Sequence, residues 1–186
     1  VFIFFATWLH PGGVKGKGFL AVFAILIISM VLGIDPGLAS CGWAILPDSK
    51  TLSVCGCLVT TRADDLSNRL GQLYQQVVDL CQKYRVEELA IESLFFAKNT
   101  KTALLVAQVM GAIKAAAYHS GVRVFEYTPL QIKIAITGYG RADKNQIAAM
   151  VKQELGENDQ LVNNHAADAV AAALTHLFTM RKDQLV

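Results

Sequence analysis

Three short apolar segments open the patterned part of the chain, and no helical period separates them. Residues 31–35 form the first segment, which ends in Asp35 and is followed by a Pro-Gly pair typical of a type II turn. Residues 40–46 and 51–60 form the second and third, which are rich in apolar and β-branched side chains. Because strands joined by short turns pair antiparallel, this pattern predicts a sheet with an antiparallel start.

After Asp65 the apolar positions recur at helical spacing, and helices then alternate with further strands. One of these strands again ends in a carboxylate, Glu92, which repeats the arrangement at Asp35. The later elements predicted are a helix at residues 65–85, a strand at 88–92, a helix at 100–119, a strand at 122–127, and helices at 129–138, 143–155 and from 164 past 177. Together the elements predict an α/β fold with a five-stranded mixed sheet flanked by helices.

Composition sets only loose limits on the partners of this chain. Its 186 residues carry a formal net charge of +2, which is too small by itself to indicate a nucleic-acid-binding protein. A polyanionic partner would therefore be held by local basic clusters or by metal ions that neutralise acidic groups. No CxxC pair is present, and we interpret the cysteines as buried small side chains in a reducing, cytoplasmic compartment rather than as a zinc site or disulfides; they are Cys41, Cys55, Cys57 and Cys81.

The first 29 residues have a pattern unlike the rest. Residues 19–28 are uniformly apolar and follow Lys15 and Lys17, as in a signal peptide or a short membrane anchor. A run of about ten residues is short for a membrane span, and no small-residue cleavage motif follows it. Since Met30 directly precedes the first strand, we expect residues 1–29 to be a leader upstream of the true start, residues 30–186 to form one domain, and the protein not to associate with membranes.

Four side chains with metal-binding chemistry stand at the ends of predicted elements. Asp35 and Glu92 end strands, whereas His165 and Asp168 lie three residues apart near the start of the last helix and so share one face. Oxygen-rich sites of this kind suit Mg²⁺ or Mn²⁺, and clustered carboxylates would repel one another without cations. Each feature also has an ordinary explanation, since Asp-Pro-Gly is a common turn and a helical His-Asp pair is often only hydrogen-bonded.

Aromatic and basic residues accompany these four. Phe95 and Phe96 lie in the loop after the second strand-end carboxylate, where they either fold back into the core or stack on an unpaired base. Lys98 follows in the same loop. Lys144 occupies the first turn of a helix, where its charge opposes the helix dipole, which suggests that it meets an anion.

From residue 30 to about residue 178 the chain resembles the RuvC family of crossover junction endodeoxyribonucleases, which resolve Holliday junctions on a ribonuclease H-like fold. The matching segments follow the family's order and are residues 33–37 (Gly-Ile-Asp-Pro-Gly), 90–92 (Ala-Ile-Glu), 95–99 (Phe-Phe-Ala-Lys-Asn), 125–127 (Phe-Glu-Tyr) and 165–169 (His-Ala-Ala-Asp-Ala). Residues 1–29 have no counterpart in the family pattern.

The resemblance implies that a metal-binding tetrad carries out catalysis, and its members are Asp35, Glu92, His165 and Asp168. Some family members have Asp at the position of His165. The resemblance also implies two Mg²⁺ ions per subunit, with Mn²⁺ as an alternative, and hydrolysis by an activated water that leaves 5′-phosphate and 3′-hydroxyl ends. The DNA-binding residues that it implies are Phe95, Lys98, Lys133 and Lys144.

Family members act on four-way junction DNA as symmetric homodimers, favour a thymine-centred site and cooperate with a branch-migration motor complex. We expect the dimer face to lie on the helix at residues 100–119, where several residues offer a small apolar surface: Ala103, Ala107, Met110 and Gly111. The same pattern would also serve burial against the sheet.

Three other functions stay open on the residues alone. A ribonuclease H-like nuclease acting on structured RNA would share the first strand, although the loop at Phe95 suits an opened branch point. A non-catalytic junction-binding module would not need the tetrad. A phosphate-cradling ATPase would normally need a second nucleotide-binding lobe, for which the chain is too short.

Overall fold

The computed structural model describes residues 29–93, 100–156 and 164–183, so most of the predicted leader lies outside the described residues. Its elements confirm the predicted order. Strand β3 begins at Val54 rather than at residue 51, because Thr51 pairs with Asp48 in an isolated bridge of the preceding turn. The elements are β1 (Met30–Asp35), β2 (Ser40–Leu46), β3 (Val54–Val59), α1 (Leu66–Tyr84), β4 (Val86–Glu92), α2 (Thr100–His119), β5 (Arg123–Tyr127), α3 (Pro129–Thr137), α4 (Lys144–Leu155) and α5 (Asn164–Asp183).

The strands form one mixed sheet in the order β3-β2-β1-β4-β5. Strands β1, β2 and β3 pair antiparallel, whereas β4 pairs in parallel with both β1 and β5. The predicted antiparallel start and five-stranded mixed sheet are therefore confirmed. Because β1 and β4 are adjacent and parallel, Asp35 and Glu92 end at the same edge of the sheet.

Helices cover both faces of the sheet. Successive strand residues point to opposite sides, so Leu32 and Ile34 join a core with α1 and α2, whereas Val31 joins a second core with α3, α4 and α5. A sheet buried on both faces explains why the strands read as continuous apolar runs. Asp35 has the parity of Val31 and therefore faces α5.

Helix α5 lies close to the sheet because neither surface carries large side chains at the contact. A methyl group at Gly33 of β1 would overlap the carbonyl oxygen of Ala169, and one at Gly42 of β2 would overlap the carbonyl oxygen of His165. The helix contributes buried alanines at positions 166, 169 and 171–173. The backbones of β1 and β2 thus set the position of the helix start that carries His165.

Side-chain caps fix the helices that border this edge of the sheet. Thr128 caps α3 and Asp143 caps α4, each in a capping box with the glutamine three residues later. The predicted helix start at residue 129 is confirmed. Lys144 is consequently held as the first residue of α4.

The prediction that all four cysteines are buried is partly wrong. Cys41 and Cys81 are buried as predicted, but Cys55 and Cys57 are only half-buried because they lie on β3, an edge strand. All four cysteines are in the thiol form.

The predicted apolar surface of α2 also needs correction. Met110 is buried in the core, so it does not belong to an exposed face. Ala107 and Gly111 are exposed, and Ala103 is half-buried. Among the helices of the described residues, none is both long and apolar enough to span a bilayer.

Candidate active site

Asp35 and His165 meet at the edge of the sheet. The Nδ1 atom of His165 lies 2.7 Å from Oδ2 of Asp35. The end of β1 supplies the carboxylate, and the first turn of α5 supplies the imidazole. Burial raises the pKa of the Asp35 carboxyl above its ordinary value, and the hydrogen bond with His165 opposes that shift. The first strand and the last helix therefore form one polar site.

Asp168 completes a cluster of three possible metal ligands. One ligand atom from each of Asp35, His165 and Asp168 lies within 4.8 Å of the other two. The Nζ atom of Lys144 donates a hydrogen bond to Oδ2 of Asp168 at 2.8 Å, and this bond raises the pKa of Lys144. The anion predicted to face Lys144 is thus the carboxylate of Asp168.

Glu92 faces the same cluster from the end of β4. Its carboxyl group is half-buried, and burial together with the negative charges of Asp35 and Asp168 raises its pKa to about 7, against the opposing charges of Lys144 and Lys133. Glu92, Lys133 and Asp168 line a small cavity of about 60 Å³. A carboxyl group held near other acids in this way is one whose charged form a cation would stabilise.

The donor set fits a hard divalent cation. Asp35 and Asp168 offer carboxylates and His165 offers an imidazole at short range, with Glu92 alongside. Mg²⁺ and Mn²⁺ prefer such oxygen-rich sites. The ammonium group of Lys144 already lies against this cluster, which shows that positive charge is favoured there.

The predicted DNA-binding residues divide into two pairs. Lys133 and Lys144 border the acidic cluster, as the contacts above show. Phe95 and Lys98 lie outside the described residues.

Sequence reasoning missed a second polar network, which lies on the same strand and the same helix. His176 of α5 is fully buried, and its ring nitrogens lie 2.8 Å from the hydroxyl of Tyr127 and 2.9 Å from a carboxylate oxygen of Glu88. The spacing of these residues from the predicted site residues could have indicated this network. Glu88 lies on the same face of β4 as the strand-end carboxylate, and His176 follows the predicted histidine by about three helical turns.

Comparisons with known proteins agree with this architecture. The family model of crossover junction endodeoxyribonuclease RuvC matches residues 31–176. A RuvC from Natranaerobius thermophilus is 42% identical over 150 residues, which cover 79% of this chain and 93% of that protein. Thermus thermophilus RuvC in complex with a Holliday junction substrate gives a TM-score of 0.78 at 33% identity, over 83% of this chain and 96% of that one. Ydc2, the yeast mitochondrial Holliday junction resolvase, shares the fold at a TM-score of 0.59 and 13% identity, over 86% of this chain and 85% of that one.

The strand order and the similarity to solved resolvases define a ribonuclease H-like fold, with a cluster of possible metal ligands at the end of β1 and the start of α5. The family match covers most of the chain and all four proposed ligands. The chain belongs to the RuvC family of crossover junction endodeoxyribonucleases. These enzymes are metal-dependent, and the resemblance and fold predicted from the sequence are confirmed.

Proposed function

We propose that this chain resolves four-way (Holliday) junctions by paired, symmetric, metal-dependent cuts in recombination and repair. The observation that carries the proposal is the convergence of Asp35, His165 and Asp168 at the edge of a RuvC-family sheet. A module that only bound junctions would have no use for such a ligand cluster. The Thermus thermophilus relative, solved with a Holliday junction substrate, supports the same substrate for this chain.

Four side chains would hold the metal: Asp35, Glu92, His165 and Asp168. Two Mg²⁺ ions per subunit, or Mn²⁺ ions, would when bound activate a water and stabilise the leaving oxygen of the phosphodiester. Strands β1 and β4 fix the two strand-end carboxylates, and α5 orients the other two ligands. For this role the Glu92 carboxyl must give up the proton that its surroundings favour near neutral pH. The expected products carry 5′-phosphate and 3′-hydroxyl ends.

Lysines at the rim of the cluster would bind the cleaved strand. The ammonium group of Lys144 contacts Asp168, and Lys133 lines the cavity beside Glu92, which supports a role for both in binding a phosphate at the cluster. Phe95 would stack on a base at the crossover, with Lys98 contacting DNA from the same loop.

Two symmetric cuts require two active sites, so a homodimer is part of the proposal. An exposed apolar stripe on α2 supports it: Leu104 is 60% exposed and Tyr118 is 87% exposed, with Ala107 and Gly111 between them on the same side of the helix. A branch-migration motor complex as partner and a cytoplasmic location complete the proposal.

The proposed function is tested by cleavage of a synthetic mobile four-way junction with and without Mg²⁺. We expect paired nicks at symmetric positions that appear only with the metal. A linear DNA duplex and a structured RNA serve as competing substrates. Preferential cutting of the RNA would favour the ribonuclease alternative, and binding of the junction without any cutting would favour the non-catalytic module.

A further inference from the structure

A groove of about 430 Å³ adjoins the active site on the side of β2 and β3, and His165 forms part of its wall. The other walls are the β1–β2 loop at residues 37–40, the start of α2, and the side chains of Arg62 and Arg69. Among its described lining residues two are arginines and none is acidic. The groove thus continues the active site into a positively charged surface.

Arg62 is available to bind a ligand. Its side chain is exposed and makes no hydrogen bond or ion pair with the described residues. The nearest acids in the sequence have other partners, because Asp64 accepts a hydrogen bond from Gln72 and Asp65 caps α1 through Asn68. Within the described part of the chain, no carboxylate forms an ion pair with this guanidinium group.

Arg69 is held in place by its stem. Its Nε donates a hydrogen bond to Oγ1 of Thr60 at 2.8 Å, and that hydroxyl donates to the carbonyl oxygen of Leu38 at 2.6 Å. This chain of bonds ties Arg69 to the loop that follows Asp35. The terminal guanidinium nitrogens make no hydrogen bond to the described residues, so they are fixed in position and still able to donate.

We infer that this groove binds a backbone phosphate of the substrate DNA next to the scissile phosphate, with Arg62 and Arg69 as its ligands. Arginine pairs with phosphate through parallel N–H donors, and two arginines lining one groove provide several. Leu105 and Val106 provide an apolar wall for the adjoining sugar. The inference deepens the proposed function and rests on it, because it takes DNA as the ligand.

The test measures junction binding without divalent cation, so that nothing is cut. Arg62→Ala and Arg69→Gln each remove phosphate donors, and Lys83→Ala is the matched control because it removes one exposed positive charge at the far end of α1. We expect each arginine variant to weaken binding about five-fold and to reduce the slope of log K against log salt by about 1. The lysine variant should stay within about two-fold of wild type.

A second measurement locates the phosphate. One neutral methylphosphonate at a time replaces a phosphate near the cleavage site of the junction. At one position this replacement should weaken binding by the wild-type protein but cause no further loss of binding by Arg62→Ala. Wild-type affinity and salt slope in both arginine variants, or full additivity at every position, would overturn the groove assignment. If Arg69→Gln is unstable to urea, Arg62→Ala decides, since the Arg62 side chain is exposed and makes no hydrogen bond or ion pair with the described residues. A wild-type protein that neither binds nor cuts junctions would overturn the proposed function, and this inference with it.

Discussion

His165 and Asp35 lie 2.7 Å apart across 130 positions of sequence. The contact is possible because α5 packs closely over β1 and β2 at Gly33 and Gly42, where a larger side chain would overlap the helix backbone. It joins a strand-end carboxylate to a helical imidazole, and the proposed chemistry depends on both.

The first prediction concerns Asp35→Asn. The amide keeps the shape of the side chain but not its charge, so we expect cleavage of the junction to fall about 10³-fold or more, the loss of several kcal/mol of metal-dependent stabilisation. Single-turnover cleavage and junction binding are measured side by side, and binding should persist. Asp79→Asn, on an exposed part of α1, is the control. Unchanged cutting by the Asp35 variant would mean that the site is misassigned.

The second prediction concerns pH and metal binding. The pKa of Glu92 is raised to about 7 from an ordinary 4.5, so in the metal-free protein the carboxyl is mostly protonated below pH 7. A cation must displace the proton, and Mg²⁺ affinity should therefore rise with pH up to about 7 and level off above it. Calorimetry in two buffers of different ionisation enthalpy reports the protons released. Equal release from Glu92→Gln would contradict the assignment.

The same shift predicts how the metal-free protein responds to pH. Because the folded state binds the Glu92 proton more tightly than the unfolded chain does, the free energy of unfolding should decrease as the pH rises from about 4.5 to about 7. Urea titrations at several pH values measure this slope. Glu92→Gln should flatten it, and an unchanged slope in that variant would assign the effect to another group.

The third prediction concerns thiol reactivity. Burial raises the pKa of Cys41 to about 12 and that of Cys81 to about 11, so neither forms a thiolate near neutral pH. In the native protein at pH 8 both should resist alkylation, whereas the half-buried Cys55 and Cys57 should react first. Mass spectrometry of the alkylated peptides identifies the sites. Fast labelling of Cys41 in folded protein would show that β2 opens locally.

The fourth prediction concerns the buried network around His176. His176→Phe removes two buried hydrogen bonds, one with the Tyr127 hydroxyl and one with the Glu88 carboxylate, which keeps its ion pair with Arg123, so it should lower the free energy of unfolding by about 2 kcal/mol. Denaturant unfolding measures the change. Thr175→Val, which removes only a bond to the helix backbone, should cost about 1 kcal/mol. Equal losses in the two variants would mean that the network contributes nothing particular.

The fifth prediction concerns Gly42→Ala. The added methyl group would overlap the carbonyl oxygen of His165, so α5 must shift away from the sheet. We expect a loss of about 2 kcal/mol in stability and a fall in cleavage, because His165 moves with the helix. Gly71→Ala on α1 has open space around it and should stabilise by about 0.5–1 kcal/mol without affecting cleavage. Full activity in Gly42→Ala would show that the site tolerates a displaced α5.

The site was partly predictable, and the residues show where prediction ends. Asp35 and Glu92 follow from strands that stop at carboxylates, and His165 and Asp168 follow from helical spacing. The structure places one possible ligand atom from each of Asp35, His165 and Asp168 within 4.8 Å of the other two, and the charges of Asp35 and Asp168 act on Glu92. Local periodicity does not reveal that Lys144 contacts Asp168, since that contact depends on how α4 and α5 pack.

Prediction from the sequence was also limited where burial depends on contacts between elements and not on the pattern within one element. Met110 fits both an exposed stripe and a core position on α2, and only its tertiary neighbours decide between them. The groove at Arg62 and Arg69 likewise combines three segments that are distant in sequence. Its charges were visible in the sequence, but their shared position beside His165 was not.

The two strands that carry Asp35 and Glu92 each have a hydrogen-bonded neighbour on both sides, as β2 and β5 flank the β1–β4 pair. Such a framework resists distortion, so the spacing of its carboxylates is set before any nucleic acid arrives. Any change of shape that binding requires must then occur in the DNA. An unstacked branch point bends at little elastic cost, whereas a continuous duplex with a persistence length of about 150 base pairs does not. Selectivity for junctions would then arise from a difference in DNA flexibility, because a rigid active site binds the DNA that bends more easily.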